Sequence, residues 1–428
     1  MTTNHRTVRV LAVYTLLATA LAARVLLLPY KSGDYLTFLD PWYRHLESHG
    51  GFAALADPGF SDYNVPYLYL LAGLTHLPVS ALAGIKGISI LSDLALAYYA
   101  FRIVARLRPA SARAAYGAAA AVLLLPTVVT NSGWWAQCDG VYAVFLLGGI
   151  HHVLGRRPWW ACAFFGIALA VKFQAVFLFP FLLVMVVLGR VPWRSLLAIP
   201  GVYLALDVPA LLLGADPWRL LTVYARQTGT YQLLSLHAPS VYEFVSVPGD
   251  TGPVRTAGVL VAGVVVTALV GLTAWTLRCG RPGAGDPGPA PHPLTDTRIV
   301  LLAACSSLLV PFLLPSMHER YFYLADVLTV VAAFVLPRQL WYVPVLVQLA
   351  SFGSYLVVVN ATLAPYLSMP AHAALMLLAV VAVLRTAVLE LRHRRGAPRA
   401  AAQPDRGRAG PDVTAGPGAA AVAVSSAT

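Results

Sequence analysis

Apolar runs of roughly 20 residues recur along most of the chain, and short polar segments separate them. A run of that length crosses the hydrocarbon core of a bilayer as a single α-helix. Hydropathy predicts about twelve spans, so the expected fold is an all-α polytopic membrane protein. The predicted spans cover residues 9–28, 84–104, 114–130, 141–154, two within 158–188, 196–214, 256–277, 299–314, 321–336, 340–359 and 371–391.

Composition supports a membrane protein and predicts its orientation. Hydrophobic residues make up 58% of the 428 residues and charged residues 11%, against about 25% charged in soluble domains. The net charge of +12 lies in Arg clusters between apolar runs, which is typical of cytoplasmic loops and does not indicate nucleic-acid binding. Both termini are therefore expected in the cytoplasm. The first apolar run, residues 7–28, is expected to be a retained anchor in the cell (plasma) membrane and not a cleaved signal.

The predicted membrane-embedded domain is residues 1–395, and it includes a long first outer loop. Residues 278–298 are rich in Pro and Gly and predict a flexible cytoplasmic linker. Residues 396–428 have no hydrophobic periodicity and predict a disordered cytoplasmic tail. The four cysteines lack metal-ligand spacing and lie at different predicted depths, so neither a disulfide nor a zinc site is expected.

The longest polar segment, residues 31–69, lies in the predicted first outer loop, residues 29–83. Long ordered loops usually serve function. Apolar residues 65–77 within this loop are too few to cross a bilayer. If they did cross, the Arg cluster at residues 102–113 would lie outside. We therefore predict a re-entrant or interfacial helix at residues 65–77.

Polar residues suited to chemistry gather on the predicted outer side of the membrane. An acid there can take a proton from a hydroxyl group, and Lys, His and Arg can hold a phosphate. The candidate site residues are Asp34, Asp40, Asp62, Trp134, Gln137, Asp139, Lys172, Gln174, His318 and Arg320.

The acids of the first loop differ in how well local structure explains them. Asp40 is followed by proline and later by two glycines, the pattern of a helix N-cap, and the apolar stripe of that helix predicts a location in the headgroups. Asp62 lies in a turn sequence. Asp34 precedes no such signal, so it is the stronger functional candidate.

Other candidates also have structural explanations. Asp139 begins a span and has the position of an N-cap, and Trp134 fits an interfacial aromatic belt. Lys172 lies inside an apolar run, where a cation usually has a partner or a function. Its structural partner would be a buried acid such as Asp93 or Asp207.

The segment from Ser316 to Arg320 matches a capping box, Ser316-x-x-Glu319, which predicts a structural role for Glu319. The same cap would place His318 and Arg320 in the first turn of a helix. Backbone N–H groups and the helix dipole favour an anion there. These two residues are therefore predicted to bind phosphate.

Short motifs recur in a fixed order along the membrane portion: Asp34-Tyr35-x-x-Phe38-x-Asp40, Asn64-x-Pro66-Tyr67-x-Tyr69, Trp134-x-x-Gln137-x-Asp139, Lys172-x-Gln174 and His318-Glu319-Arg320-Tyr321. In their order and placement they resemble the bacterial membrane mannosyltransferases related to the GPI-anchor mannosyltransferases. That resemblance implies the GT-C glycosyltransferase fold. It also implies transfer of a hexose, mannose in that family, from a polyprenyl-phosphate sugar on the extracytoplasmic face.

The same resemblance implies inversion at the anomeric carbon, with Asp34 as the catalytic base. The partners would be the polyprenyl-phosphate sugar donor, a glycan, lipid or protein acceptor, and the bilayer. Many relatives have an Asp-x-Asp pair where this chain has Ser32-Gly33-Asp34. That difference weakens the case for a metal, and no cofactor is expected, although a divalent metal remains an alternative.

The residues themselves favour the same chemistry. There are no predicted strands and no Gly-rich phosphate loop, and the polar site faces away from cytoplasmic nucleotides. One base for the acceptor hydroxyl and cations for the departing phosphate suffice for a single inverting displacement.

A proton-coupled transporter or lipid-linked saccharide flippase is the main alternative. Asp93, Asp207 and Asp326 lie within predicted spans and could relay protons. The sequence has no visible internal repeat, and its polar clusters lie at the outer edge of the membrane, which favours a transferase. A non-catalytic assembly partner would leave Lys172 and Arg320 unexplained.

Overall fold

The computed structural model describes residues 2–227, 231–279, 294–360 and 362–392, and this part of the chain is mostly helical. Its α-helices are α1 Thr2–Leu27, α2 Asp40–Ser48, α3 Val65–Leu74, α4 Ala81–Leu107, α5 Ala112–Leu124, α6 Pro126–Val129, α7 Asp139–Leu154, α8 Pro158–Val171, α9 Phe179–Val187, α10 Ala198–Leu213, α11 Pro217–Leu221, α12 Val223–Gln227, α13 Gly252–Cys279, α14 Asp296–Leu313, α15 Tyr323–Val335, α16 Pro337–Leu340, α17 Val343–Val359 and α18 Met369–Arg392.

One short parallel ladder joins two loop segments, although the sequence predicts no strands. Strand β1, Ser235–Leu236, pairs with β2, Met317–His318. The Ser316 N–H also donates to the Leu234 carbonyl at 2.7 Å. The ladder therefore ties the long connection before α13 to the segment that precedes α15.

Among the described residues, five helical segments are long and apolar enough to cross a membrane: α4, residues 193–213 with α10, α13, α14 and α18. A sixth forms if α5 and residues 126–135, bent by 48°, count as one span. The chain therefore has the character of a helical membrane protein. The other predicted spans coincide with shorter apolar helices such as α7, α8 and α17. Twelve crossings and a long first outer loop remain predictions.

The bend after α5 positions the polar stretch at residues 130–139. Pro126 has no N–H to donate to the preceding turn, which accounts for the break. The backbone then forms a π-turn, Thr130–Trp135, and ends it at Ala136 with φ 63°. Left-handed backbone is strained for a residue with a side chain, and such strain concentrates at functional sites. Asp139 follows at the start of α7.

A second break lies at Lys172, where the sequence predicts the tip of a two-span hairpin. Helix α8 ends at Val171, and Lys172 is extended with φ −156° and ψ 135°. A 3₁₀ turn, Phe173–Leu178, then leads into α9. The break turns the Lys172 side chain into protein, where it is buried.

The segment after α1 is more helical than its polar sequence predicts. Helical backbone begins at Gly33, continues through a π-turn, Tyr35–Leu39, and passes directly into α2. Asp40 therefore lies inside a helix, and the prediction that it is an N-cap is wrong. Trp42 of α2 is buried against the hydrophobic core. The apolar stripe of α2 thus packs on protein and not in lipid headgroups.

Helix α3 lies inside the protein. Its apolar residues surround the whole helix, and Tyr67, Leu68 and Leu71 are fully buried. A helix that is hydrophobic on all sides belongs in an interior and not at a polar interface. The re-entrant and interfacial alternatives for residues 65–77 both remain predictions.

A buried lysine holds the end of α1. Lys86 of α4 donates from Nζ to the carbonyls of Leu27, Leu28 and Tyr30 at 2.8, 3.1 and 2.6 Å. The last carbonyls of a helix lack partners within the helix, and the helix dipole favours a cation beside them. Lys86 therefore fixes the point where the chain leaves α1.

Ser32 fixes the position of the loop that follows α1. Its hydroxyl donates to the Trp135 carbonyl at 2.8 Å and accepts from the Tyr35 N–H at 3.0 Å. The loop after α1 is thus joined to the end of the second π-turn. These two bonds place Asp34 beside residues 135–139.

A buried ion pair joins α1 to α4. Arg24 NH2 lies 2.7 Å from Asp93 Oδ2, and the Ser132 hydroxyl donates to the same oxygen at 2.5 Å. A charge inside a membrane domain is stabilised by such a partner. Asp93 therefore serves to connect α1, α4 and the π-turn at residues 130–135.

Some predictions fall outside the described residues. The disordered tail, residues 396–428, lies entirely outside them, and so does most of the linker at residues 278–298. Cys138, Cys162 and Cys305 are free, buried thiols. The side chain of the fourth cysteine, at position 279, is not described.

Candidate active site

A cavity of about 940 Å³ brings most of the predicted site residues together. Its walls come from the loop after α1, the break at Lys172, the start of α13 and the segment before α15. The predicted residues that line it are Asp34, Asp62, Gln137, Lys172, Gln174, His318 and Arg320. Asp40, Trp134 and Asp139 do not line it.

Asp34 lies in the cavity wall, and one of its carboxylate oxygens contacts neighbouring side chains. Gln137 Nε2 donates to Asp34 Oδ2 at 2.5 Å, and Arg320 NH1 lies 3.3 Å from the same oxygen. Within the described chain, Oδ1 has no hydrogen-bond partner. Because the side chain is 26% exposed, Oδ1 can accept a hydrogen bond from a molecule in the cavity.

Arg320 lies among three carboxylates. Its NH1 donates to Glu319 Oε1 at 2.8 Å and its Nε lies 4.0 Å from Asp139 Oδ2, in addition to the contact with Asp34. The guanidinium also faces the Trp135 ring at 5.7 Å. Burial alone would lower the pKa of Arg320, but the three carboxylates raise it above its usual range.

Glu319 is an ionised member of this cluster. Burial alone would raise its pKa, but the Arg320 guanidinium and His318 outweigh that effect and lower the pKa from 4.5 to about 2. His318 Nδ1 lies 3.6 Å from Glu319 Oε2. The residue thus compensates the charge of Arg320 and does not serve as a helix cap.

The predicted capping box is wrong. Ser316 has φ 59°, and its hydroxyl donates to the Leu233 carbonyl at 2.8 Å. Glu319 begins a four-residue 3₁₀ turn whose N-cap, His318, makes no side-chain cap bond. The His318 ring packs edge-on against Tyr231 at 4.5 Å between ring centres. The predicted anion site in the first turn of an α-helix is therefore absent here, and the His318 and Arg320 side chains remain to contact an anion.

Lys172 pairs with Asp139. The sequence suggested Asp93 or Asp207 as its partner, and that prediction is wrong. Lys172 Nζ lies 2.5 Å from Asp139 Oδ1, and Asn131 Nδ2 donates to Asp139 Oδ2 at 2.9 Å. Asp139 itself begins α7 and is not its N-cap. It is a buried counter-ion behind the cavity wall.

Asp40 and Trp134 lie apart from the cavity. Asp40 accepts hydrogen bonds from the Tyr35 hydroxyl at 3.0 Å and from Arg44 Nε at 2.8 Å. Trp134 packs edge-on against Tyr30 at 6.0 Å between ring centres. Both side chains therefore support neighbouring parts of the loop.

Asp62 and Gln174 lie in the cavity wall. Asp62 is exposed, and the side-chain bond of its turn is made by Ser61, whose hydroxyl accepts from the Tyr63 N–H at 3.0 Å. The turn explanation for Asp62 is therefore wrong. Gln174 is buried, two residues beyond the break at Lys172.

Three members of the site are not among the candidate residues predicted from the sequence. Asn131 orients Asp139, Trp135 faces Arg320, and the Tyr63 ring lies 5.7 Å from Lys172 Nζ. Asn131 and Trp135 lie in the polar, aromatic run after Pro126, which offered a visible signal. Nothing in the local sequence pointed to Tyr63. Among the described residues, no group of three His, Cys, Asp or Glu side chains is arranged to hold a metal ion.

The comparison with protein families decides the class of this protein. The sequence model of glycosyltransferase family 87 matches residues 60–289 of the 428-residue chain, which is more than half of it. The chain belongs to glycosyltransferase family 87. A comparison with curated proteins gives no match. The family assignment establishes glycosyl transfer at a coarse level, with a sugar donor, an acceptor and a membrane environment.

The match to family 87 covers part of the site. Asp62, Gln137, Asp139, Lys172 and Gln174 lie inside the matched residues, whereas Asp34 and the segment 318–320 lie outside them. The likeness to GPI-anchor mannosyltransferases, the bacterial origin and the GT-C fold remain predictions.

The cavity of this family 87 protein brings a carboxylate and several positive charges together. One carboxylate oxygen of Asp34 is free to accept a proton, and Gln137 fixes the orientation of the other. Arg320 and Lys172 supply positive charge that is balanced by Asp139 and Glu319. Charges that the protein holds in fixed positions can stabilise a developing charge without reorganising.

Proposed function

We propose that this protein transfers a hexose, mannose by resemblance, from a polyprenyl-phosphate sugar to a hydroxyl group of a glycan, lipid or protein acceptor. The reaction takes place on the extracytoplasmic side of the cell membrane, with both termini of the chain in the cytoplasm. Asp34 is the general base, and Arg320 and His318 contact the donor phosphate. The reaction is a single displacement that inverts the anomeric carbon.

The observation that carries this proposal is the asymmetry of the Asp34 carboxylate. Oδ2 is held by Gln137 and Arg320, whereas Oδ1 has no hydrogen-bond partner among the described residues, and Asp34 lines the cavity. A base needs an accessible oxygen and a fixed orientation, and this arrangement supplies both. The neighbouring Arg320 also helps to hold Oδ2 in place, since its NH1 lies 3.3 Å from that oxygen.

The bond changes follow from these positions. Asp34 Oδ1 takes the proton of the acceptor hydroxyl as its oxygen attacks the anomeric carbon. The bond from that carbon to the phosphate oxygen breaks, and its electron pair stays on the phosphate. Since one carboxylate acts once, the configuration inverts; retention would require a second carboxylate as nucleophile.

Lys172 has a different role from the one its charge alone suggests. Its ammonium group is already paired with Asp139 at 2.5 Å. We therefore assign it to fixing the break between α8 and α9 and to shaping the cavity near Gln174. Its positive charge contributes to the phosphate site only as part of the Lys172–Asp139 pair.

A transfer assay tests the proposed function. The purified protein in liposomes is given polyprenyl-phosphate mannose, or the glucose or arabinose donor, together with an acceptor mixture extracted from its native membrane. The expected result is incorporation of mannose in the anomer opposite to that of the donor. Transfer from a nucleotide sugar instead, or retention of configuration, would contradict the proposal.

The transporter alternative gains no support from the buried acids. Within the described chain, Asp93, Asp207 and Asp326 do not line the cavity. Asp93 is paired with Arg24, and Asp326 accepts from the Ser351 hydroxyl at 3.1 Å. These contacts connect helices and give Asp93 and Asp326 a structural explanation.

A further inference from the structure

An arginine that the sequence reasoning did not single out lines the same cavity. Arg255 lies near the beginning of α13, and Gly252, Thr256 and Val259 of the same helix also face the cavity. Its side chain is partly buried. Arg255 Nε donates to the Ser316 hydroxyl at 3.0 Å, and NH1 donates to Gln232 Oε1 at 2.5 Å.

Arg255 differs from the other cations of the cavity in its charge balance. Lys172 is paired with Asp139, and Arg320 contacts Asp34 and Glu319. The partners of Arg255 within the described residues are both neutral. The nearest acid in sequence, Asp250, accepts from the Gly252 N–H at 2.9 Å and forms no ion pair with Arg255. Arg255 therefore carries a charge that no described carboxylate balances.

The partner of Arg255 is held in a strained conformation. Ser316 has φ 59°, which costs free energy for a residue with a side chain. The Ser316 hydroxyl accepts from Arg255 and donates to the Leu233 carbonyl. Ser316 is also two residues before His318, so the strained segment places Arg255 and His318 on the same wall.

The position of Arg255 in the membrane is also unusual under the proposed orientation. Arginine is depleted on the extracytoplasmic side of spans. Arg255 would lie at that end of α13, one of the five helices apolar enough to cross a membrane. An unbalanced cation retained there calls for an anionic ligand.

We propose that Arg255 binds the phosphate of the lipid-linked donor, together with His318, and so contributes to selection of a phosphate-bearing lipid. This inference rests on the proposed function. The donor is a phosphodiester with one negative charge, and the phosphate gains a second charge as the sugar leaves. Arg255 can pair with this charge without sharing it with a carboxylate, whereas Lys172 and Arg320 already contact carboxylates.

Three variants of Arg255 separate charge from hydrogen bonding. Arg255→Ala removes both, Arg255→Gln keeps a donor for Ser316 but removes the charge, and Arg255→Lys keeps the charge. The matched control is Arg44→Ala, because Arg44 is exposed and does not line the cavity. Each variant is tested for donor KM, for acceptor KM and for inhibition by polyprenyl phosphate. Polyprenol, which lacks the phosphate, is the neutral control ligand, and the thermal midpoint reports folding.

The expected result is a rise of roughly tenfold or more in donor KM and in the inhibition constant of polyprenyl phosphate for the Ala and Gln variants. The Lys variant should stay within about threefold of wild type. Acceptor KM, polyprenol binding and the Arg44→Ala protein should not change.

Two results would overturn this assignment while leaving the proposed function intact. One is unchanged donor KM in all three variants of an active enzyme. The other is a wild-type donor KM in Arg255→Gln but not in Arg255→Lys. Arg255 would then act only as a hydrogen-bond donor to Ser316. If wild-type protein neither binds polyprenyl phosphate nor uses its sugar ester, the proposed function and this inference both fail.

Discussion

At the scale of single residues, Arg320 is the common neighbour of the charged groups in the cavity. It contacts Glu319 and Asp34 and lies 4.0 Å from Asp139 Oδ2. Removing a buried cation leaves its carboxylates without compensation, so a loss of stability accompanies any loss of function. A test of Arg320 must therefore measure both.

We predict that Arg320→Ala lowers turnover by more than about tenfold and also lowers the thermal midpoint. Arg320→Lys should restore stability better than turnover, because a point charge cannot reproduce the two-pronged contacts of a guanidinium. The measurement is transfer rate at saturating donor, normalised to folded protein. Turnover of the Ala variant equal to wild type would exclude Arg320 from the reaction.

Glu319 gives a prediction about pH. Its pKa falls from 4.5 to about 2 in the folded protein, so its contribution to stability is complete above about pH 5 and is lost as the pH falls towards 2. At neutral pH the contribution is of the order of 3 kcal/mol. Glu319→Gln should therefore destabilise the protein at pH 7 much more than at pH 3, as measured by denaturant unfolding in detergent. An equal loss at both pH values would mean that the charge of Glu319 is not involved.

The contacts of these residues could not be predicted from the sequence. Lys172 and Asp139 are separated by the two helices α7 and α8, and the sequence offered Asp93 and Asp207 as plausible partners of Lys172. The choice depends on which helix ends meet in space, and hydropathy does not contain that information. What the sequence did predict is that Asp34, Gln137, Lys172, His318 and Arg320 gather on one side, because each lies at the end of an apolar run.

At the scale of secondary-structure elements, the polar groups of the site lie at or beside breaks in the helices. The π-turn at residues 130–135, the extended Lys172 and the strained Ser316 each interrupt a helical stretch beside the cavity. In the sequence, Pro126 indicates the first of these breaks. The π-turn before Asp40 has no such signal, and this is why an acid followed by proline was mistaken for an N-cap.

Lys86 offers a test of how the loop with Asp34 is held. Lys86→Met removes the donor for three carbonyls at the end of α1. Each unsatisfied buried carbonyl costs about 1–3 kcal/mol, although water can enter and reduce the loss. We expect a lower thermal midpoint and a lower turnover number with little change in donor KM, since Lys86 touches neither substrate. Lys86→Arg should recover part of both, and a wild-type turnover number in Lys86→Met would show that the loop is fixed by other contacts.

At the scale of the whole molecule, the orientation in the membrane is a prediction from the distribution of Arg. Engineered cysteines can test it where the native side chain is exposed, as at Ser48 after α1 and Ala110 after α4. Ser132 is unsuitable because it is buried and bonded to Asp93. An impermeant thiol reagent applied to intact cells should label Ser48→Cys and not Ala110→Cys, relative to the wild-type background. Labelling at Ala110 alone would invert the proposed orientation.

Hydropathy alone does not determine how many times the chain crosses the membrane. Each predicted span coincides with helix, but among the described residues only five or six are long and apolar enough to cross by themselves. Helices such as α7 and α8 are short, with 16 and 14 residues, and many of their side chains are covered by neighbouring helices. Their apolar character reflects burial in protein as much as contact with lipid.

The most direct test of the central claim is the transfer rate of Asp34→Asn in liposomes with a saturating polyprenyl-phosphate sugar. The asparagine keeps the size of the side chain and an oxygen for Gln137, but it cannot accept the acceptor proton. The account predicts a loss of roughly a hundredfold or more in turnover, with normal folding and binding of polyprenyl phosphate. Asp40→Asn, in which the altered carboxylate lies outside the cavity, should keep measurable activity. Near-normal turnover by Asp34→Asn would contradict the assignment of Asp34 as the base.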